Sequence, residues 1–342
     1  MTEPAPRRWT RRPEGSNWGD FGEDDQIGRM NLITPARRLA GVAEVREGLC
    51  FALSLPLDYP GWDDPILGRA PPVLSTRRLA DAALFNFPFG RVIPGSRDLC
   101  CDDAVTLSTQ YSTQWDSLAH WGRLFDADGN GVDEPVYYNG FRAGSDLPDA
   151  DANGGSHARR LGIEHLAVAG AQGRGVLVDL TGVAPDARAV GHDALMALIA
   201  EQRVEVRTGD FLLLWTGLDE QLLAMNRQPD RKRLAQTAIE LDGSDPALLR
   251  WIDESGIAAI CSDNTAVETV VFGEDCCADG KSFLPLHELC LFKLGIHLGE
   301  LWHLAELARW LRAHRRSAFL LTAPPLCLPG SVGSPVTPVA TV

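Results

Sequence analysis

Gln110-Tyr111-Ser112-Thr113-Gln114-Trp115-Asp116-Ser117-Leu118-Ala119-His120 is the stretch on which the reading of this chain turns. Gln110, Gln114, Asp116 and His120 follow one another at spacings of four, two and four. The run Ala104 to Leu107 just before them is strand-like, and Trp115, Leu118 and Trp121 supply apolar anchors. In an extended, bent segment the side chains at 110, 114 and 116 converge on one point. Two amide oxygens and a carboxylate form a hard donor set, suited to manganese, magnesium or calcium. His120, just beyond, is a candidate proton carrier. The same residues also read as ordinary turn and strand positions bonded to backbone, because none of the general short catalytic or metal-binding motifs has this spacing.

Composition bounds the answer. At 342 residues, 45% hydrophobic and 23% charged, the chain has a globular balance and the length of one large or two small domains. A formal charge of −14 argues against a nucleic-acid backbone or an anionic membrane as partner. No apolar run approaches a membrane span. Met1 to Gly15 is rich in Arg and Pro and lacks the apolar centre of a secretory signal, so residues 1–16 are expected to be a disordered tail. The eight cysteines include the adjacent pairs Cys100-Cys101 and Cys276-Cys277 and no C-x-x-C spacing. Reduced thiols in a cytoplasmic protein are the expectation.

Residues 17–342 read as one α/β domain with long loops. Thr34-Pro35 predicts an N-cap followed by proline at the first helical position, and Gly48 closes that helix. Phe51, Leu53 and Leu55 alternate as a strand. Residues 56–98 carry many turn signals and little periodicity, which predicts loops forming a lid or a flap against a neighbouring subunit; Phe85, Phe87 and Phe89 lie there. Asp126-Ala-Asp128-Gly-Asn130-Gly131 begins like a calcium loop, but Tyr137 stands where the bidentate acid belongs, so a solvated turn is expected. From Gly162 the pattern becomes regular: strands at 176–180, 211–215 and 257–261 alternate with helices at 193–202 and 246–254. No G-x-G-x-x-G follows an early strand and no G-x-S-x-G is present, which argues against a dinucleotide site and a serine-nucleophile elbow. Asp279-Gly-Lys281-Ser282 ends like a phosphate loop, but Asp275 replaces its first glycine.

The opening stretch resembles the signature of the cyclase family, which includes bacterial kynurenine formamidases and isatin hydrolases and reads His-x-Gly-Thr-His-x-Asp-x-Pro-x-His. Gln110, Ser112, Thr113, Gln114, Asp116, Leu118 and His120 fall on its specified places, and Thr113, Asp116 and His120 match. Both early histidines are glutamine here. The likeness continues through Asn17 to Ile33, Tyr138-Asn139-Gly140, Gly173 to Asp179, Gly209 to Gly217, Ser262-Asp263 to Glu268, residues 286–302 and Gly330 to Pro335.

The resemblance implies a swivelling β/β/α fold and a metal-dependent hydrolase of a carbon–nitrogen bond in a small non-peptide or cyclic amide, such as an arylformamide or an isatin-like ring. By it Gln110, Gln114 and Asp116 face a divalent ion, with manganese favoured and zinc the alternative. His120 is the general base, and His287 and Glu300 complete the catalytic set. Glu300 is also placed where it would open a helix running from Leu301 to His314. Trp115, Trp121 and Phe87 suit a flat substrate, with Asn139, Ser262 and Asp263 as further substrate-side candidates. A lactone hydrolase, a ring-forming cyclase and a metal-free small-molecule-binding protein are the alternatives. The family likeness also implies a homodimer or homotetramer.

Overall fold

The computed structural model describes residues 8–63, 67–152, 154–184, 187–270, 277 and 280–342. Residues 1–7 of the expected tail, Asp275 and Cys276 lie outside them. Residues 8–16 pack against the body instead of trailing: Trp9 is buried edge-on to Trp18, and the Thr10 and Arg11 backbone N–H groups donate to the Ala127 carbonyl. A buried tryptophan in an otherwise polar Arg/Pro segment is the anchor that a composition reading passes over.

Nine strands form one curled mixed sheet: β1 (Cys50–Ala52), β2 (Gln114–Asp116), β3 (Gln172–Asp179), β4 (Phe211–Trp215), β5 (Ala259–Ser262), β6 (His297–Glu300), β7 (Ala318–Thr322), β8 (Gly333–Pro335) and β9 (Val339–Thr341). Their spatial order is β1-β9-β7-β3-β4-β5-β6-β2-β8. The central four, β3 to β6, are parallel, and antiparallel strands extend the sheet on both sides. β4 and the second half of β3 are near-continuous apolar runs, as strands covered on both faces are. On one face Val176, Val178, Leu212, Leu214, Ile260 and Leu298 pack with α2 (His192–Gln202) and α3 (Pro246–Ser255). On the other, Leu177, Phe211, Leu213 and Cys261 pack with α4 (Ala305–His314). The helix after Thr34, α1 (Pro35–Val42), starts as expected, with the Thr34 hydroxyl accepting from the Arg37 N–H, but it ends at Val42 and not at Gly48.

Two expectations of local structure change. The stretch read as loops is an arm of short antiparallel ribbons, Val73–Thr76 with Asp103–Thr106 at its base and Phe87–Pro88 with Leu99–Cys100 further out. Val73, Leu74, Phe85, Ile93 and Leu99 are exposed along it. Glu300 does not open a helix. It ends strand β6, and α4 starts only at Ala305, after Leu301 turns the chain with φ 53°. Pairing with β2 overrides the local helical preference, as tertiary context routinely does. The calcium-like loop is a turn, as expected: the Asp126 carboxylate accepts the Asn130 and Gly131 N–H groups at 2.9 Å each.

Candidate metal centre

Strand β2 presents alternate faces. Trp115 points into the layer under α4, where it is fully buried, meets Trp302 edge-on at 5.1 Å and donates its indole N–H to the Ala323 carbonyl at 2.8 Å. Gln114 and Asp116 therefore emerge on the opposite face. Antiparallel pairing with β6 sets Gln114 across from Glu300. The Trp302 indole donates to the Gln114 carbonyl, and the Thr113 hydroxyl bridges the Leu55 N–H and the Leu301 carbonyl. The strand is thus pinned from both ends.

His287 arrives from the far side, in the first turn of a helical segment that begins at Pro285 and continues as a π-helical stretch to Leu294. Ligand atoms of Asp116, His120 and His287 lie within 4.8 Å of one another. Fully buried Glu268 holds His287 in place. Its carboxylate accepts the Leu286 and His287 backbone N–H groups at 2.8 and 2.7 Å and the imidazole Nδ1–H at 2.8 Å. With Nδ1 carrying the proton, Nε2 is left as a lone-pair donor toward the cluster. Gly243 makes this approach possible, since a Cβ there would sit 2.0 Å from Glu268 Oε2. Glu268 had no assigned role in the sequence. It lies 19 residues from His287, and only its place at the end of the Ser262-to-Glu268 likeness points to it.

The two glutamines expected to face an ion are placed differently from one another. Gln110 turns its NH2 group to Asp116 Oδ1, so it orients the carboxylate. The Gln114 NH2 group donates to Glu300 Oε2 at 2.7 Å, which leaves Gln114 Oε1 free to face the cluster. Gln114 Oε1 and Asp116 Oδ2 are both buried with no hydrogen-bond partner among the described residues. Unpaired buried acceptors are costly, and a cation satisfies them. Two lone-pair acceptors, two imidazoles and a carboxylate that steadies one of them make a donor set that fits a divalent ion.

Electrostatics follow from burial. Desolvation pushes the His120 pKa down against the pull of Asp116, and His287 and the half-buried Arg69 push the same way, so the imidazole stays neutral. Desolvation, then Asp116, raise the Glu300 carboxyl well above the usual carboxylate range, although Arg69 opposes them. Glu300 Oε1 lies 3.7 Å from His287 Nε2. Beneath the cluster, His297 Nδ1 donates to the Asp116 carbonyl at 2.9 Å, and burial brings its pKa to about 4.

The remaining candidates separate. Trp121 lines the cluster, with its ring 5.4 Å from His287 and 5.3 Å from Phe283. Trp115 is core. Phe87 is buried within the arm, edge-on to Phe89 at 5.9 Å. Asn139 spends its amide on the entry loop, donating to the Gly22, Glu23 and Asp25 carbonyls and accepting from the Gly19 N–H. The Ser262 hydroxyl donates to the Leu214 carbonyl and accepts the Asn264 N–H. Asp263 accepts the Thr216 and Leu218 N–H groups at 2.8 and 2.9 Å. Asn139, Ser262 and Asp263 hold backbone, not substrate, because their polar atoms are already occupied.

Residues 51–269 match a family model described as "Putative cyclase". A crystal structure of a novel cyclase is 30% identical over 96% of this chain and 99% of that one, with a TM-score of 0.75. Isatin hydrolase A from Labrenzia aggregata, bound to benzyl benzoate, is 15% identical over 89% of this chain and 97% of that one, with a TM-score of 0.54. Isatin hydrolase A from Ralstonia solanacearum is 15% identical over 90% and 97%, with a TM-score of 0.56. These last two share the fold. No curated protein matches the chain. Among the described residues no helix is long and apolar enough to cross a membrane.

Proposed function

The chain belongs to the cyclase family, and from that premise we propose that it is a metal-dependent hydrolase opening the carbon–nitrogen bond of a small non-peptide or cyclic amide. The observation that carries this reading is the convergence of Asp116, His120 and His287 within 4.8 Å, beside two orphaned buried oxygens. Asp116, His120 and His287 would hold the ion, with Gln114 Oε1 as a further oxygen. Bound there, a divalent ion supplies Lewis acidity and lowers the pKa of water. Two imidazoles and a carboxylate suit zinc at least as well as manganese, whereas two amides and a carboxylate would favour the harder ion.

His120, neutral and within the cluster, is a ligand in this reading, so proton handling moves to Glu300. Burial raises that carboxyl well above the usual carboxylate range, beside the cluster, where a departing nitrogen needs a proton. Gln114 orients it through the 2.7 Å bond to Oε2. The Trp121 and Phe283 rings form an apolar wall next to His287, which supports a flat, aromatic acyl or ring substrate. The uncovered apolar side chains of the arm support a homodimer or homotetramer.

The test is a panel of arylformamides, cyclic amides and lactones, assayed on chelator-treated protein with manganese or zinc restored. Metal-dependent turnover of the amides, abolished in Asp116→Asn, supports the reading. Turnover of lactones alone, or tight ligand binding unaffected by Asp116→Asn, overturns it.

A further inference from the structure

A second site is indicated well away from the Asp116 cluster. The β3–α2–β4 crossover lies on one face of the sheet, where Leu195 of α2 joins Val176 and Val178. Helix α4, between β6 and β7, lies on the other face, where Leu307, Ala308 and Leu311 join Leu177. β3 stands between β4 and β7. β3 is thus flanked by a helix on each face beside its boundary with antiparallel β7. β7 pairs with β3 only as far as Val176, opposite Ala318, so Leu177 to Asp179 run on past its end. Between these residues and the carboxyl ends of α2 and α4 opens a groove of about 840 Å³. That volume is typical of small-molecule sites.

The groove is not waiting for another strand. The Asp179 N–H donates to Gln202 Oε1 at 2.9 Å, and Gln202 Nε2 donates to the Asp179 carbonyl at 2.7 Å. The side chain thereby pairs the backbone that β7 leaves uncovered.

Its charge runs against that of the chain. In a protein of formal charge −14, Arg203, Arg312, Arg315 and Arg316 all line this groove. Arg312 is tied to Asp179, whose carboxylate also accepts from Thr181, and Arg316 donates to the Glu44 and Ala318 carbonyls. Exposed Glu201 is the other carboxylate on the lining. Arg203 and Arg315 have no carboxylate partner among the described residues. Both close their helices in the left-handed conformation, at φ 55° and 52°, where glycine is the default. The helix dipole favours a cation at each of these ends. It does not account for two unpaired guanidinia lining one cavity.

We propose that this groove binds a small organic anion through Arg203, Arg315 and Arg312, as a site separate from the Asp116 cluster. Three strand spacings, about 14 Å at ~4.8 Å each, separate β3 from β6. The guanidinium fork matches carboxylate and phosphate alike, so the probes must distinguish the two.

The experiment is isothermal titration of the full-length, metal-loaded protein with inorganic phosphate, adenosine monophosphate and succinate at constant ionic strength. It is repeated on Arg203→Gly, Arg315→Gly and the double variant. Glycine is at home at both positions, so the variants should melt no lower than the parent; Asn, which also tolerates this conformation, is the second substitution. Saturable binding of at least one probe is expected, weakened about tenfold or more in each single variant and lost in the double, with metal content unchanged. Binding of succinate alone marks a carboxylate site, and binding of the phosphates alone a phosphate site. No saturable binding of any probe, or equal affinity in parent and double variant, overturns the proposal.

Discussion

Replacing Glu268 by glutamine tests how the candidate centre is built. The side chain is fully buried and accepts three N–H donors at 2.7–2.8 Å, two from backbone at the start of the His287 helix and one from the imidazole. An amide of the same size offers one acceptor oxygen, and its NH2 group must face at least one of these donors. Leaving a buried donor unpaired costs about 1–3 kcal/mol, and weakening the bonds to a charged acceptor adds to this. Glu268→Gln should therefore lower the unfolding free energy by about 2–4 kcal/mol. The sharper consequence lies at His287, whose Nδ1 loses its anchor, so that Nε2 no longer points reliably at Asp116 and His120. Removing such a partner typically costs 10–100-fold in metal affinity. Urea unfolding and isothermal titration of zinc or manganese into chelator-stripped protein measure the two effects separately. A folded Glu268→Gln protein that binds either ion as tightly as the parent would refute the orienting role.

Further outcomes follow from the same geometry. Gly243→Ala forces a Cβ against Glu268 Oε2 and should reproduce the affinity loss of Glu268→Gln without removing any polar group, as titration of the same ions will show. Trp115→Phe removes the bond to the Ala323 carbonyl and part of a fully buried side chain, so it should cost about 1–3 kcal/mol in denaturant melts while leaving KM unchanged; a raised KM with unchanged stability would return Trp115 to the substrate side. For Glu300 the sign is set by a folded value raised above the ordinary 4.5: the carboxyl holds its proton more tightly folded than unfolded, so the stability it contributes is present below about pH 4.5 and is lost as pH rises. In chelator, the parent should lose stability as pH rises above about 4.5 more steeply than Glu300→Gln, and parallel curves would count against a raised Glu300.

The centre of the parallel sheet was legible because β4 and the second half of β3 are apolar runs between helices of clear period, and 211–215 was read to the residue. The alternation in Gln114-Trp115-Asp116 was legible in principle, yet Trp115 was set beside the substrate as well as among the apolar anchors. A two-residue period sends it to the opposite face, where it belongs to the core. Glu300 misled for a related reason: an acid before an apolar helix looks like a helix start, whereas pairing with Gln114 makes it a strand end. Asn139 and Asp263 look like site residues by type, and backbone donors and acceptors far away in sequence have already claimed them. The ion-facing set was half visible. The cyclase likeness put Gln110 and Gln114 beside Asp116 and gave His120 and His287 catalytic roles, whereas the structure gathers Asp116, His120 and His287 within 4.8 Å of one another. The roles of Gln110 and Gln114 depend on which atom of each amide faces a neighbouring carboxylate, and spacing carries no record of that.

Metal content per chain, by elemental analysis of untagged protein alongside Asp116→Ala and His287→Ala, tests the central claim most directly. The account predicts close to one zinc or manganese per parent chain, restorable after chelation, and a large loss in both variants. A parent that carries no divalent ion and fails to take one up, or variants that load as fully as the parent, would contradict it.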